Sequence, residues 1–280
     1  MIENRYRKEG ITLHRKKIGF IGVGNMGYPL LCGAIQCFGA EEVVFRCAHE
    51  EKNTKIAKET GAICADSLSE LAQMVSCIIL AVKPQFFPEI LSEIKEAVVE
   101  NQVVISLAPG ITTDYLKEQF LHKVKIVRTM PNTPAQVLEG MTAICYGASN
   151  FSTEEKQMII TLFETVGKTV ELSEHLMDAS IVASGSSPAF VYIFMEALAD
   201  GAVKYGIPRA VAYEMVGQTM VGAGKMLLET KEHPGKLKDN VCSPAGTTIA
   251  GVSALEEYGF RNAVIKACDA CYEKAVSMKK

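Results

Sequence analysis

A glycine-rich loop near the start of the chain constrains its fold more than any other feature. In KKIGFIGVGNMG, Gly22, Gly24 and Gly27 follow a short apolar strand pattern and precede a segment with helical spacing. In a strand–turn–helix unit, the first glycine allows a tight turn, the second lets the backbone approach a pyrophosphate, and the third lets helix and strand pack closely. The start of the helix then offers N–H groups and the positive end of its dipole to the phosphates. The loop therefore predicts a dinucleotide site.

The pattern after this loop alternates between apolar strands and amphipathic helices as far as Leu172. Continuously apolar strands separated by such helices are typical of a parallel sheet covered on both faces. We therefore predict an α/β fold in which residues 17–172 form a dinucleotide-binding, Rossmann-type domain with a parallel sheet. Residues 1–16 are predicted to be an N-terminal extension.

The pattern changes after residue 172, and no convincing strand follows. Several segments read as helices that are apolar nearly all round, among them SPAFVYIFMEALADGAVKYG and a helix with Pro208 in its first turn. A helix of this kind must be deeply buried or packed against another subunit. Residues 173–280 are therefore predicted to form an all-helical domain that dimerises.

Composition narrows the function classes. The chain has 280 residues, a formal net charge of -3 and 48% hydrophobic residues. These values indicate a soluble globular protein with neither a nucleic-acid nor a membrane partner, and the start of the chain lacks the apolar run of a signal peptide. A cytoplasmic location is the resulting expectation. No metal-ligand spacing is present, and Cys268 and Cys271 read as two cysteines one helical turn apart.

The end of the second predicted strand bears on the choice of dinucleotide. An NAD site usually has Asp or Glu there, whereas this strand ends in Arg46, and Glu41 and Glu42 lie at its other end. An arginine without an acidic neighbour suits a 2′-phosphate, to which His49 and Lys52 could add positive charge. We predict NADPH as the cofactor, with NADH as the alternative.

Three loops follow strands of the predicted sheet and should share its carboxyl edge. They are ILAVKPQ (residues 79–85), SLAPG (106–110) and RTMPNTPAQ (128–136). Ligands bind at this edge in open parallel sheets, so the loops predict a crevice beside the glycine loop.

Two further stretches, SGSSPAF (184–190) and KDNVCSPAGTTIAG (238–251), read as helix starts with spare hydroxyl and N–H groups. Such a start suits a carboxylate. The spacing alone leaves open whether these residues cap a helix or bind a ligand.

Several segments taken together resemble the pyrroline-5-carboxylate reductase family from about Lys17 to the C-terminus. They are IGFIGVGNMG, LAVKPQ, RTMPNTPA, SGSSPAF, ALADGAVKYGIPRAVA and DNVCSPAGTTIAGVSALEEYGFRNAV. The resemblance implies reduction of 1-pyrroline-5-carboxylate to L-proline by hydride transfer from NAD(P)H, the last step of proline biosynthesis. It also implies a Rossmann-type domain joined to a helical domain that forms homodimers, which often assemble into larger rings.

The resemblance also implies roles for individual residues. Thr248 would be the catalytic residue that holds the ring nitrogen. The substrate would be bound by Val241, Ser243, Gly246, Thr247 and Thr248. The cofactor would contact Gly22, Gly24, Asn25, Met26, Gly27, Arg46, Ala81, Val82, Lys83, Pro84 and Asn240.

The chain departs from the family pattern at four places. Cys47 and Ala48 stand where Asn-Arg is frequent, and Leu68 stands where an Asn is often found. Phe190 replaces a tyrosine, and Ala245 replaces the first glycine of Pro-Gly-Gly.

Two other functions remain open from the sequence. One is a related imine or 3-hydroxy-acid reductase. The 3-hydroxy-acid enzymes resemble one another in a catalytic lysine on the first long helix after the Rossmann domain, whereas this helix has no lysine before Lys204. The other is a diverged paralogue that binds a dinucleotide as a regulator.

Overall fold

The computed structural model of the chain describes residues 16–279. The predicted N-terminal extension therefore lies outside the described residues except for Lys16. Contacts divide the described chain into two compact units: residues up to Gly185 together with those from Tyr272 onward, and Ser186–Cys271. The predicted domain division between residues 172 and 173 stays a prediction.

Eight strands of the first unit form a single sheet. They are β1 (Lys16–Ile21), β2 (Val43–Arg46), β3 (Ile63–Cys64), β4 (Val75–Leu80), β5 (Val103–Ser106), β6 (Lys125–Met130), β7 (Gly140–Tyr146) and β8 (Gly167–Glu171). Their order is β3-β2-β1-β4-β5-β6-β7-β8, and neighbouring strands from β3 to β6 are parallel. This is the doubly wound order of dinucleotide-binding domains, so the predicted Rossmann-type fold is confirmed.

One strand direction differs from the prediction. β7 runs antiparallel to β6, with Arg128 opposite Cys145, and β8 is parallel to β7. The connection from β6 to β7 contains only the 3₁₀ turn Thr133–Val137, and a parallel crossover needs a dozen or more residues. The two-residue strand β3 was also missed, because two residues are too few to show a period.

Helices cover both faces of the sheet. They are α1 (Gly27–Phe38), α2 (Glu50–Thr60), α3 (Leu68–Met74), α4 (Phe87–Ile94), α5 (Thr113–Gln119), α6 (Thr153–Glu164) and α7 (Met177–Ser180). Side chains alternate along each strand, so the sheet has two cores. Ile79 of β4 packs with residues of α1, α2 and α6, whereas Ile78 packs with residues of α3, α4 and α5.

The second unit is helical. It contains α8 (Ser187–Lys204), α9 (Arg209–Thr230), α10 (Pro234–Val241), α11 (Thr247–Glu257) and most of α12 (Phe260–Ser277). Ala199 and Ala212 are its buried residues, while large apolar side chains such as Ile193, Leu228 and Tyr258 are exposed. An apolar surface of this extent is typical of a subunit interface.

Two predicted helix starts need correction. Pro208 lies just before α9, as its N-cap, instead of in the first turn. A π-helical turn, Ile181–Gly185, precedes α8, and the Ser184 hydroxyl donates to the Ser180 carbonyl at 3.1 Å. Ser184 is therefore engaged inside a helical run, because the preceding residues continue the helix.

The helical run Glu174–Lys204 is long and apolar enough to cross a membrane, judged by length and composition alone. Its apolar stretch is not buried within the described chain. A helix that packs against another subunit has the same properties. The expectation that the protein has no membrane partner stays a prediction.

A buried charge cluster joins the sheet to the helix after it and to the end of the chain. Arg128 of β6 is fully buried; its guanidinium lies 2.8 Å from Glu174 and 2.6 Å from Asp178. Lys279 approaches the second oxygen of Asp178 at 2.6 Å. Burial alone would raise the pKa of Asp178, but Lys279 and Arg128 outweigh it and hold that pKa below its ordinary 3.8. The carboxylate is therefore charged at neutral pH.

We expect Asp178→Asn to destabilise the first unit, because it removes the buried one of the two carboxylates that neutralise Arg128. The expected loss is about 3 kcal/mol, which corresponds to a fall in Tm of roughly 5–10 °C. Thermal unfolding at neutral pH measures it. Since the folded pKa of Asp178 lies below the unfolded value, this stability is present above about pH 4 and is lost as pH falls further.

The matched control for this prediction is Glu174→Gln, because Glu174 contacts the same guanidinium but its side chain is 36% exposed. Its cost should be about 1 kcal/mol or less. Equal Tm values for the two variants would contradict a special role of the buried carboxylate.

Candidate active site

The glycine loop between β1 and α1 has the geometry of a phosphate cradle. Gly22 has φ +84°, a conformation that favours glycine, and a Cβ there would lie 2.6 Å from Val82 Cγ1. A Cβ on Gly27 would lie 2.7 Å from the Gly22 carbonyl oxygen. At Gly24, by contrast, a Cβ would meet nothing within 4 Å. The loop is thus tightly packed at Gly22 and Gly27 and open at Gly24.

Helix α1 begins at this loop without a side-chain cap and without an acidic residue in its first turn. The Tyr28 N–H donates to the Gly24 carbonyl at 2.9 Å, and the other N–H groups of the first turn can interact with an anion, which the helix dipole also favours. The open space at Gly24 and the uncapped helix start together fit the pyrophosphate of a dinucleotide.

A cleft of about 660 Å³ opens at the carboxyl ends of β1, β2 and β4. Six of the predicted cofactor residues line it: Gly22, Gly24, Arg46, Ala81, Val82 and Lys83. Asn25 lines an adjoining cleft, Met26 lies at the N-cap of α1, and Pro84 opens the 3₁₀ turn Pro84–Phe86. The structure thus brings the predicted residues of the first unit to one edge of the sheet; their roles stay predictions.

Arg46 is held by an acidic partner, so the premise that it has no acidic neighbour is wrong. Its guanidinium forms an ion pair with Glu50, the first residue of α2, and Nη1 also donates to the Ala65 carbonyl at 3.2 Å. The loop after β2 turns back into α2 and places residue 50 beside residue 46. The Asn53 amide, followed by the Arg46 guanidinium, lowers the pKa of Glu50 and keeps it ionised.

Asn53 is a structural residue of the cleft that sequence reasoning missed. Its side chain is buried; Oδ1 accepts from the Cys47 N–H at 2.8 Å, and Nδ2 donates to the Cys47 carbonyl at 3.1 Å. These bonds hold the loop after β2, which lines the cleft, against α2. An asparagine within a polar helix gives no periodic signal, so the sequence pattern could not reveal this contact.

The remaining predicted residues lie in the second unit. Asn240 and Val241 end α10, and Ser243 follows in the loop before α11. Gly246 is the N-cap of α11, and Thr247 and Thr248 are its first two residues. No side chain caps this helix, and its first turn has no acidic residue. The helix start is therefore open to an anion, and the alternative that these hydroxyls cap α11 is not observed.

Backbone conformation explains the shape of this second loop. A Cβ on Gly246 would meet the Ser243 hydroxyl, so a larger residue there would force the Ser243 side chain to rotate. Ala245 has φ +55°, a left-handed conformation that costs a residue with a Cβ about 1 kcal/mol. The alanine thus adopts the conformation that favours glycine, and the departure from Pro-Gly-Gly leaves the turn intact.

Comparisons with known proteins match both halves of the chain. Residues 174–278 match the family described as pyrroline-5-carboxylate reductase dimerisation, and residues 17–110 match NADP oxidoreductase, coenzyme F420-dependent. A pyrroline-5-carboxylate reductase of Escherichia coli is 43% identical over 95% of this chain and 99% of that protein. The chain belongs to the pyrroline-5-carboxylate reductase family. The resemblance inferred from the sequence motifs is thereby confirmed.

Solved pyrroline-5-carboxylate reductases also share the fold. The structure from Coxiella burnetii has a TM-score of 0.88 and 30% identity, covering 95% of this chain and all of that one. The structure from Plasmodium falciparum, with NADP bound, has a TM-score of 0.83 and 32% identity, covering 96% of this chain and all of that one. Each of these two structures therefore matches both units of this chain.

Gly24, where the loop is open, and Gly27, where it is tightly packed, should respond differently to substitution. Gly24→Ala adds a methyl group to open space, so we expect unchanged Tm but at least tenfold weaker NADP⁺ binding, about 1.4 kcal/mol. Gly27→Ala pushes against the Gly22 carbonyl, so its Tm should fall. Isothermal titration and thermal unfolding of both variants measure these effects. Unchanged NADP⁺ affinity in Gly24→Ala would contradict a cradle at this position.

Proposed function

We propose that the protein reduces 1-pyrroline-5-carboxylate to L-proline with NAD(P)H, the last step of proline biosynthesis. The observation that carries this proposal is the near full-length similarity to the Escherichia coli pyrroline-5-carboxylate reductase. The open glycine loop and the uncapped start of α11 supply the two kinds of anion site that a dinucleotide and a cyclic amino acid need.

The cofactor would be held at the carboxyl edge of the sheet. The relative from Plasmodium falciparum was solved with NADP bound, which supports use of NAD(P)H here. The loop Gly22–Gly27 would bind the pyrophosphate, and Ala81 to Pro84 and Asn240 would contact the rest. When bound, the reduced cofactor supplies the hydride.

The start of α11 would hold the substrate. Its N–H groups and the hydroxyls of Ser243 and Thr247 would bind the substrate carboxylate, with Val241 alongside the ring. The Thr248 hydroxyl can donate to a neutral imine nitrogen and accept from a protonated one. It can therefore hold the ring nitrogen in either state, which fixes the orientation of the imine carbon for hydride attack.

We propose that the two predicted domains bind the cofactor and the substrate respectively. Residues 17–172 would bind the dinucleotide, and residues 173–280 would carry the substrate loop and the homodimer interface, with assembly into a larger ring. The exposed apolar side chains of the helical unit and its match to a dimerisation family support an interface there. A cytoplasmic location is part of the same proposal.

Replacing the proposed catalytic hydroxyl should slow turnover. Thr248→Val removes a hydrogen bond to a reacting nitrogen, so we expect kcat to fall about 10- to 100-fold. The assay follows NADPH and NADH oxidation with 1-pyrroline-5-carboxylate. Thr247→Val, which removes the neighbouring hydroxyl from the carboxylate site, should mainly raise KM.

Ser253→Ala, which removes an exposed hydroxyl later in α11, is the control and should leave kcat and KM unchanged. Full turnover by Thr248→Val would refute the assigned role of that residue. A wild-type protein that binds NADP⁺ but turns over no 1-pyrroline-5-carboxylate would support the regulatory alternative instead.

The oligomeric state offers a separate test. Because the helical unit buries so little of its own apolar surface, we expect light scattering after size-exclusion chromatography to give at least twice the mass of one chain. A monomer at micromolar concentration would contradict the proposed interface.

A further inference from the structure

Arg46 and Glu50 form the most unusual charge arrangement in the dinucleotide cleft. Both Nη atoms of Arg46 contact the Glu50 carboxylate, and Nη1 is shared with the Ala65 carbonyl. The Arg46 side chain is only 20% exposed, whereas that of Glu50 is 70% exposed. The guanidinium is therefore fixed in the wall of the cleft, with a counter-charge already bound to it.

Glu50 is itself held in place. The Asn53 amide donates to Glu50 Oε2 at 3.3 Å, and the same amide bonds to the Cys47 carbonyl. The carboxylate begins α2, where the helix dipole also favours a negative charge. The ion pair is thus supported by a second side chain and by its position on the helix.

The rest of the cleft adds no positive excess. The charged side chains that line it are three basic and three acidic: Arg46, Lys52, Lys83, Asp66, Glu89 and Glu93. Glu50 does not line the cleft, but its carboxylate forms an ion pair with Arg46 and so offsets the positive charge of that side chain. Once Arg46 is paired with Glu50, the other charged side chains of the lining are two basic and three acidic. A 2′-phosphate entering beside Arg46 would therefore meet a neutralised pair in a cleft with one net negative charge.

We propose that Glu50 sets the discrimination between NADPH and NADH by cancelling the charge of Arg46. Glu50 is a positioning residue, because it acts through Arg46. The charge-balanced pair gives a 2′-phosphate little net attraction, so NADPH and NADH bind with similar affinity. This inference rests on the proposed function for its cofactor, but it concerns binding and not turnover.

Two substitutions that each remove one charge of the pair, and their combination, test this proposal. Glu50→Gln leaves Arg46 with an uncancelled positive charge, and Arg46→Ala leaves Glu50 with an uncancelled negative charge. The Arg46→Ala, Glu50→Gln double variant is again neutral. One unit charge a few ångströms from the phosphate at an intermediate dielectric constant changes affinity by about tenfold.

The experiment measures the Kd of NADP⁺ and NAD⁺ for the full-length protein by isothermal titration. Glu50→Gln should bind NADP⁺ about tenfold more tightly, Arg46→Ala about tenfold more weakly, and the double variant like the wild type. NAD⁺ affinity should change by less than about twofold throughout, and the NADP⁺ effects should shrink as NaCl rises from about 0.05 to 0.5 M. Adenosine 2′,5′-bisphosphate and 5′-AMP, which differ only in the 2′-phosphate, should show the same contrast.

Glu164→Gln is the matched control, because it removes the same charge from an exposed position at the end of α6 that lines neither this cleft nor the adjoining one. It should leave both Kd values unchanged. Equal NADP⁺ affinity in wild type and Glu50→Gln, or equal changes for NAD⁺, would overturn the inference, as would a protein that binds neither dinucleotide. A wild type that binds both but reduces no 1-pyrroline-5-carboxylate would refute the proposed function and leave this inference standing.

Discussion

The position of helix α1 depends on two contacts that exclude a Cβ, and the cofactor cleft depends on α1. Gly27 brings the start of the helix against the Gly22 carbonyl, where a side chain would lie 2.7 Å from the oxygen. One turn and a half later, a Cβ on Gly33 would collide with the Thr165 hydroxyl at the end of α6. The helix is therefore held between the glycine loop and α6, and its N-terminus opens onto the carboxyl edge of the sheet. That placement brings the helix dipole to the proposed site of the pyrophosphate.

The start of α11, where we propose that the substrate binds, shares its uncapped backbone with the start of α1. Helix α11 begins after a tight turn in which Gly246 packs against the Ser243 hydroxyl and Ala245 adopts a left-handed backbone. Neither helix start has a side-chain cap or an acidic residue in its first turn. N–H groups left without a cap are available to a ligand, and each helix start lacks the stability that a side-chain cap would add. The two helix starts lie in different units.

Two arginine–carboxylate pairs of the first unit, at Arg128 and at Arg46, differ in what they affect. In the cluster around Arg128, burial makes pairing a matter of stability, because an unpaired buried cation is costly. At Arg46 the ion pair lies in the wall of a cleft, where we propose that it lowers the affinity for a 2′-phosphate. The difference is exposure: the Asp178 side chain is 1% exposed and that of Glu50 is 70% exposed.

The sequence by itself determined the fold class, the glycine loop and the family. Apolar strands alternating with amphipathic helices, and a Gly-x-Gly-x-x-Gly spacing between a strand and a helix, are local patterns that survive without coordinates. The start of α11 was also predictable, since Pro, Gly and adjacent threonines mark a helix start. Only the tertiary structure decided the direction of β7, the role of Asn53 and the pairing of Arg46 with Glu50. These depend on how a connection folds back in space, and a pattern of residue types does not encode which side chain meets which.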